Sequence, residues 1–212
     1  MERVILMIKD IILDIIFPKY CLGCGKEGAY ICKNCEVYLM DVQLMHELTA
    51  LWEYNGIMKE AIKRIKFGGE WAIIKELIEK CSTPSVGASL TLGVEHFESL
   101  ITYVPMTRKK ERERGFNQAE IIAEELGKKL NLPVVKLLEK TRETSDQVGL
   151  NRYERLKNLK NAFKICPRTV QGQNILLADD VYTTGATMEE CARVLRKARY
   201  KNIWEFTIAR TV

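Results

Sequence analysis

Two neighbouring carboxylates, Asp179 and Asp180, stand between an apolar run and a hydroxyl-rich turn, in the stretch Ile175-Leu176-Leu177-Ala178-Asp179-Asp180-Val181-Tyr182-Thr183-Thr184-Gly185-Ala186-Thr187. Thr183, Thr184, Gly185, Ala186 and Thr187 supply small side chains, hydroxyl donors and the free N–H groups of a helix start, a set that cradles a phosphate. Carboxylates repel phosphate. They accept hydrogen bonds from sugar hydroxyls and coordinate a hydrated magnesium ion. Acids and a phosphate turn side by side at a strand end therefore point to a phosphorylated sugar.

A second chemistry-bearing group is Cys21-Leu22-Gly23-Cys24-Gly25 followed by Cys32-Lys33-Asn34-Cys35. Two C-x-x-C pairs a few residues apart fit a four-thiolate structural zinc site, with Gly23 and Gly25 relaxing the turn so that amides approach the sulfurs. A redox pair or an iron–sulfur cluster are the alternatives. A third group is cationic. Arg108, Lys109, Lys110, Arg112 and Arg114 follow directly on the apolar run Leu100–Val104 and Pro105. The carboxyl edge of an α/β sheet is where ligands bind, and the arginine fork suits diphosphate oxygens, which singles out Arg108 and Arg114.

The elements that must hold these groups can be read from periodicity. Buried strands are expected at residues 51–54, 100–104, 134–135, 162–165, 175–178 and 203–209. Helices are expected over 57–67, 71–80, 117–130 and 185–198, the first stopped by Gly68-Gly69. Strands alternating with helices predict an α/β fold with a mostly parallel sheet and helices on both faces. Residues 83–93 read as a loop, and the polar stretch 141–152 as either a mobile lid carrying Arg142, Gln147 and Arg152 or an ordinary surface connection. The basic face of Lys59, Lys63, Arg64 and Lys66 is either solvated or turned to a polyanion.

A chain of 212 residues supports one substantial core and a small appendage. Its 47% hydrophobic and 29% charged residues describe a globular protein, and a net charge of +5 permits an acidic ligand without demanding one. Seven cysteines, an odd number, argue against a complete disulfide framework. Cys81, Cys166 and Cys191 are expected in or near the core. Residues 1–17 place Val4, Ile5, Met7, Ile8, Ile11, Ile12, Ile15 and Ile16 on one helical arc, but Glu2, Arg3, Lys9, Asp10 and Asp14 interrupt a run too short for a bilayer. An amphipathic helix docked on its own domain or across a homodimer is expected. An interfacial membrane helix is the alternative. The domains are then 1–17 (helix), 18–48 (four-cysteine zinc module) and 49–212 (the α/β domain), in a cytoplasmic protein with a peripheral position at the inner membrane face as the variant.

The 175–187 stretch resembles the phosphoribosyl-diphosphate signature of type I phosphoribosyltransferases. With Val104-Pro105, the spaced arginines, Arg114-Gly115-Phe116-Asn117-Gln118 and the cysteine module, it resembles the ComF family, the competence branch of phosphoribosyltransferase-like proteins. The resemblance extends to the Thr-Arg-x-Thr…Gln…Leu…Arg pattern from Thr141 to Arg152. It implies a type I phosphoribosyltransferase-like fold in which the turn after Val104 is the pyrophosphate loop. It implies 5-phosphoribosyl 1-diphosphate with Mg²⁺ as ligand, and a part in natural transformation, the handling of incoming single-stranded DNA with the DNA-uptake machinery. Thr183 to Thr187 would take the 5′-phosphate. Asp179 and Asp180 would take the ribose hydroxyls, and Arg108 and Arg114 the diphosphate. Two hypotheses follow: a phosphoribosyltransferase with an acceptor that no residue identifies, or a binding protein that keeps the site as a sensor. For single-stranded DNA, Tyr103 and Phe116 are the aromatics nearest in sequence to the basic runs.

Overall fold

A computed structural model describes residues 18–39, 48–81, 99–144, 152–167 and 174–211. The expected helix over 1–17, the loop over 83–93 and Gln147 lie outside them. The chain divides into two compact units, Met1–Met40 and Asp41–Val212.

In the first unit, an isolated antiparallel bridge joins Tyr20 to Glu27, and a single helical turn, α1 (Lys33–Glu36), follows Cys32. Cys21, Ile31 and Cys35 are the buried apolar residues among those described there.

The second unit is built on a sheet of four strands in the order β1-β6-β5-β2, every pairing parallel. β1 (Leu48–Glu53) leads through α2 (Gly56–Lys63), a π-helical turn at Arg64–Gly68 and α3 (Ala72–Lys80) to β2 (Ser99–Tyr103). Then come α4 (Arg108–Arg114), α5 (Gln118–Leu130), β3 (Leu138–Lys140), α6 (Arg152–Leu159), β4 (Phe163–Ile165), β5 (Asn174–Tyr182), α7 (Ala186–Lys197) and β6 (Ile203–Arg210). This is the expected α/β class: a parallel sheet flanked by helices, with a four-cysteine cluster near the N-terminus.

β5 is buried from Ile175 to Ala178, as an interior strand of a parallel sheet must be. Side chains alternate across the sheet. Leu176 and Ala178 share a face with Ile101 and Tyr103 of β2, on which α5 packs. Ile175 and Leu177 point the other way, towards α7. α5 starts at Asn117, whose side-chain oxygen accepts from the Ala119 amide while its Nδ2 donates to the Val104 carbonyl. That pair of bonds fixes where the helix leaves β2. Gly127 lets the returning chain pass closely over α5: a Cβ there would sit 2.6 Å from Val134 Cγ2.

Two expectations change. Residues 134–135 form one bridge, Ile101 with Val134, rather than a strand. Phe163–Ile165 pairs antiparallel with Leu138–Lys140 in a separate small sheet instead of joining the main one.

Lys129 of α5 clamps the end of α3. Its ammonium donates to the carbonyls of Ile78 (2.6 Å), Cys81 (2.5 Å) and Glu79 (3.3 Å), at the end where a helix leaves its carbonyls without intrahelical donors. Lys129→Met keeps most of the stem and removes the donors. It is expected to cost about 1–2 kcal/mol, measured as a lower urea midpoint at unchanged slope.

Candidate functional site

β5 outruns its neighbour on one side. The β2 ladder stops at Tyr103–Ala178, with one further bond from the Val104 amide to the Ala178 carbonyl, whereas β6 accompanies β5 to Tyr182–Arg210. Asp179 and Asp180 lie on this overhang, at the carboxyl edge of the sheet where ligands of α/β proteins bind. Strand alternation sends them to opposite faces.

Asp180, on the α5 face, is only 5% exposed. Its Oδ2 accepts from Gln118 Nε2 at 2.8 Å and pairs with the Lys66 ammonium at 3.0 Å. Gln118 Oε1 in turn accepts from Arg114 Nη1 at 2.6 Å, and the Arg114 guanidinium lies 6.0 Å from the centre of the Phe67 ring. Residues from the π-turn, α4, α5 and β5 thus form one chain of contacts. Burial pulls the Lys66 pKa down, and the Asp180 carboxylate more than offsets it, so the ammonium is held above the usual lysine value.

Asp179 faces α7. Burial first, then the charge of Asp180, pushes its carboxyl up to about 7, although the Asp180 amide donates to it at 2.8 Å and Lys66 and Lys140 oppose the shift. Lys140 is itself held below the usual lysine range by burial and by Lys110. Its ammonium donates to Thr144 Oγ1 at 3.0 Å. Thr207, in register with Asp179 on β6, is fully buried, and its hydroxyl has no partner among the described residues.

Past Asp180 the chain turns through exposed Thr183 and half-buried Thr184 to Gly185, which is left-handed at φ 78°. Gly185 is required twice over. An L side chain is strained at that φ, and a Cβ would collide with the Tyr182 hydroxyl. Ala186 and Thr187 open α7. Asp179, Tyr182, Thr183, Gly185 and Thr187 line one small cleft. The turn therefore offers hydroxyls and first-turn amides on the same rim as Asp179.

The cationic candidates separate. Arg114 joins the Asp180 network. Arg108 is exposed and 3.8 Å from Glu139. Arg142 Nη2 donates to the carbonyls of Asn158 (2.7 Å) and Lys160 (3.0 Å), closing the end of α6 rather than pointing a free fork into the site. Arg152 begins α6, and its side chain lies outside the described residues. The stretch 108–114, expected as a loop, is a helix. Thr107 Oγ1 accepts from the Lys110 amide at its start, and left-handed Gly115 ends it.

Sequence reasoning named Lys66 only on a basic face and Gln118 only within a motif, without joining either to Asp180, and it missed Lys140. Gln118 closes the Arg-Gly-Phe-Asn-Gln run, and Lys66 precedes Gly68-Gly69. Those positions were the available signals.

In the first unit, the sulfurs of Cys21, Cys24, Cys32 and Cys35 all lie within 4.8 Å of one another, a cluster that can hold one metal ion. Cys21 is buried, which raises its pKa, but the amides of Cys32, Cys24 and Gly23 hold it down at about 6. Desolvation and the neighbouring sulfurs push Cys35 up to about 12. Four thiols this close cannot all ionise unless a cation compensates them. Among the described residues, no helix is long and apolar enough to cross a membrane.

Fold and site together define an α/β protein with an acid pair and a threonine-rich turn at the carboxyl edge of a parallel sheet, joined to a four-cysteine metal-type unit. No family model matches the chain. It is 32% identical over 197 residues to "Competence protein ComFC" of Bacillus subtilis (strain 168), covering 90% of this chain and 78% of that protein. It is 29% identical over 197 residues to "Competence protein F" of Haemophilus influenzae, covering 92% and 85%. It is 27% identical over 193 residues to "DNA utilization protein YhgH" of Shigella flexneri, covering 91% and 84%. The chain belongs to the ComF family of competence proteins.

Proposed function

We propose that this protein binds 5-phosphoribosyl 1-diphosphate together with Mg²⁺ and acts in natural competence, on incoming single-stranded DNA, with zinc held by Cys21, Cys24, Cys32 and Cys35. The observation that carries the ligand reading is the overhang of β5: two acids and a hydroxyl-and-amide turn share one edge. In this reading Thr183, Thr184, Gly185, Ala186 and Thr187 receive the 5′-phosphate. Asp179 and Asp180 accept from ribose hydroxyls and are the groups that would hold Mg²⁺, which supplies positive charge against the diphosphate. In this reading Arg114 and Lys66 supply cations to the diphosphate, and Arg108, Arg142 and Arg152 complete the set if the ligand draws them in. The competence reading is supported by the names of the relatives. For zinc, four thiolates at about 2.3 Å from a tetrahedral ion lie about 3.8 Å apart, and the observed cluster accommodates that figure. Turnover would form a bond from the sugar carbon to the acceptor's nucleophilic atom as the bond to the diphosphate breaks, and the diphosphate would leave with its charge beside Arg114 and Lys66.

The test is titration calorimetry of the sugar diphosphate with Mg²⁺, run from pH 6 to pH 8. Asp179 holds a cation, and accepts a hydroxyl most strongly, as the carboxylate. With its pKa near 7, affinity is expected to rise about tenfold across that window and to flatten in Asp179→Asn. The same shift has an opposite effect on stability. The native state keeps a proton that the unfolded chain has released, so unfolding becomes easier as pH rises from about 4 through 7. No binding heat at any pH would overturn the ligand reading.

A further inference from the structure

Two large apolar side chains stand in solvent together on the α/β unit: Phe67 is 79% exposed and Trp71 54%. They are four residues apart across Gly68-Gly69, and Gly69 is left-handed at φ 68°. A single exposed aromatic needs no explanation, but these two are set among cations. The Arg114 guanidinium lies by the Phe67 ring, and exposed Lys63 and half-buried Arg64 precede it. Residues 59–75 carry five cations against two acids, Glu60 and Glu70, which pair with Lys63 and Arg64. A partner protein seated here would need a contiguous apolar face, and cations break this one up. Rings interleaved with cations suit a ligand with flat π-faces at intervals along a polyanion. A duplex hides those faces in its own stack and offers only phosphates. A single strand offers both.

We propose that Phe67 and Trp71 form a base-stacking platform for single-stranded polynucleotide, with Lys63, Arg64 and Arg114 following its phosphates. This rests on the reading above that the protein handles single-stranded DNA, and it assigns the contact to side chains that sequence proximity did not select. Tyr103, one of the aromatics expected there, is 4% exposed and its hydroxyl donates to Glu120. Phe116, the other, is half-buried.

The experiment is fluorescence anisotropy of a labelled oligothymidylate with the full chain, its Phe67→Ala, Trp71→Ala and double variants, and Arg64→Ala. Both rings are exposed, so the fold tolerates their loss. Each aromatic deletion is expected to weaken binding about tenfold without changing its salt dependence. Arg64→Ala is expected to lower the slope of log affinity against log salt by roughly one. If the wild-type chain binds and the aromatic variants bind equally well, the platform is overturned while the single-strand reading stands. If the wild-type chain does not bind at all, that reading falls and the platform with it. If light scattering shows the double variant turning a dimer into a monomer, the surface belongs to a second copy and the proposal is likewise overturned.

Discussion

Chelation of the zinc proposed at the four-cysteine unit is expected to unfold residues 18–39 while the α/β unit keeps its structure. Among the described residues of that unit the buried apolar side chains are Cys21, Ile31 and Cys35, so two of the three are metal-ligand candidates. One isoleucine contributes about 1.5–3 kcal/mol, too little to order some twenty residues. A structural zinc contributes about 10–16 kcal/mol at neutral pH, so folding here should be metal binding. The measurement is limited trypsin digestion of the full chain with and without chelator. Lys26 and Lys33 should become cleavable on metal removal, and Cys24→Ser should behave like the chelated wild type, with bound zinc falling from one per chain towards none. Continued protection of Lys26 and Lys33 in a zinc-free chain would refute this.

Lys66→Met is expected to destabilise the α/β unit by about 3 kcal/mol, the low end of the cost of breaking a buried ion pair, because the Lys66 side chain is 27% exposed. The methionine preserves the stem. Asp180 is left buried, with the Gln118 amide as its remaining donor on Oδ2. Asp180→Asn removes the charge that needs Lys66, so the double variant should lose much less than the two singles added together. The pH dependence has a defined sign. In the wild type the pair's contribution is complete below the usual lysine range, near 10.4, and is lost as pH rises through the raised Lys66 pKa. Urea unfolding at several pH values measures both effects, and additive single-variant losses would show that the pair is not coupled.

What the sequence revealed depended on whether the governing interaction was local. The apolar run into Asp179 announced a buried strand, and Gly185 announced the turn, since both follow from residues adjacent in the chain. The strand runs on to Tyr182, beyond its apolar part, because β6 pairs with it there, and that pairing brings in residues nearly thirty positions away. Helix α4 was legible in principle, with a threonine cap at Thr107 and a glycine stop at Gly115, but its density of arginine drew attention to ligand contact instead of capping. The Val134 segment reads as a strand by composition. Its bonds are confined to Ile101, whose amide meets the Pro133 carbonyl and whose carbonyl meets the Val135 amide. Lys66, Gln118 and Asp180 meet through tertiary folding alone, so no spacing rule could have joined them.

The strand order has a consequence for biosynthesis. Among the described strands, the one latest in the chain, β6, lies between β1 and β5. Until β6 emerges from the ribosome, β1 lacks its one neighbour among the described strands and one flank of β5 is open, so the nascent chain carries unsatisfied strand borders through the synthesis of everything between them. Deletion of Ile203–Arg210 would leave that gap permanently and split the four-stranded sheet.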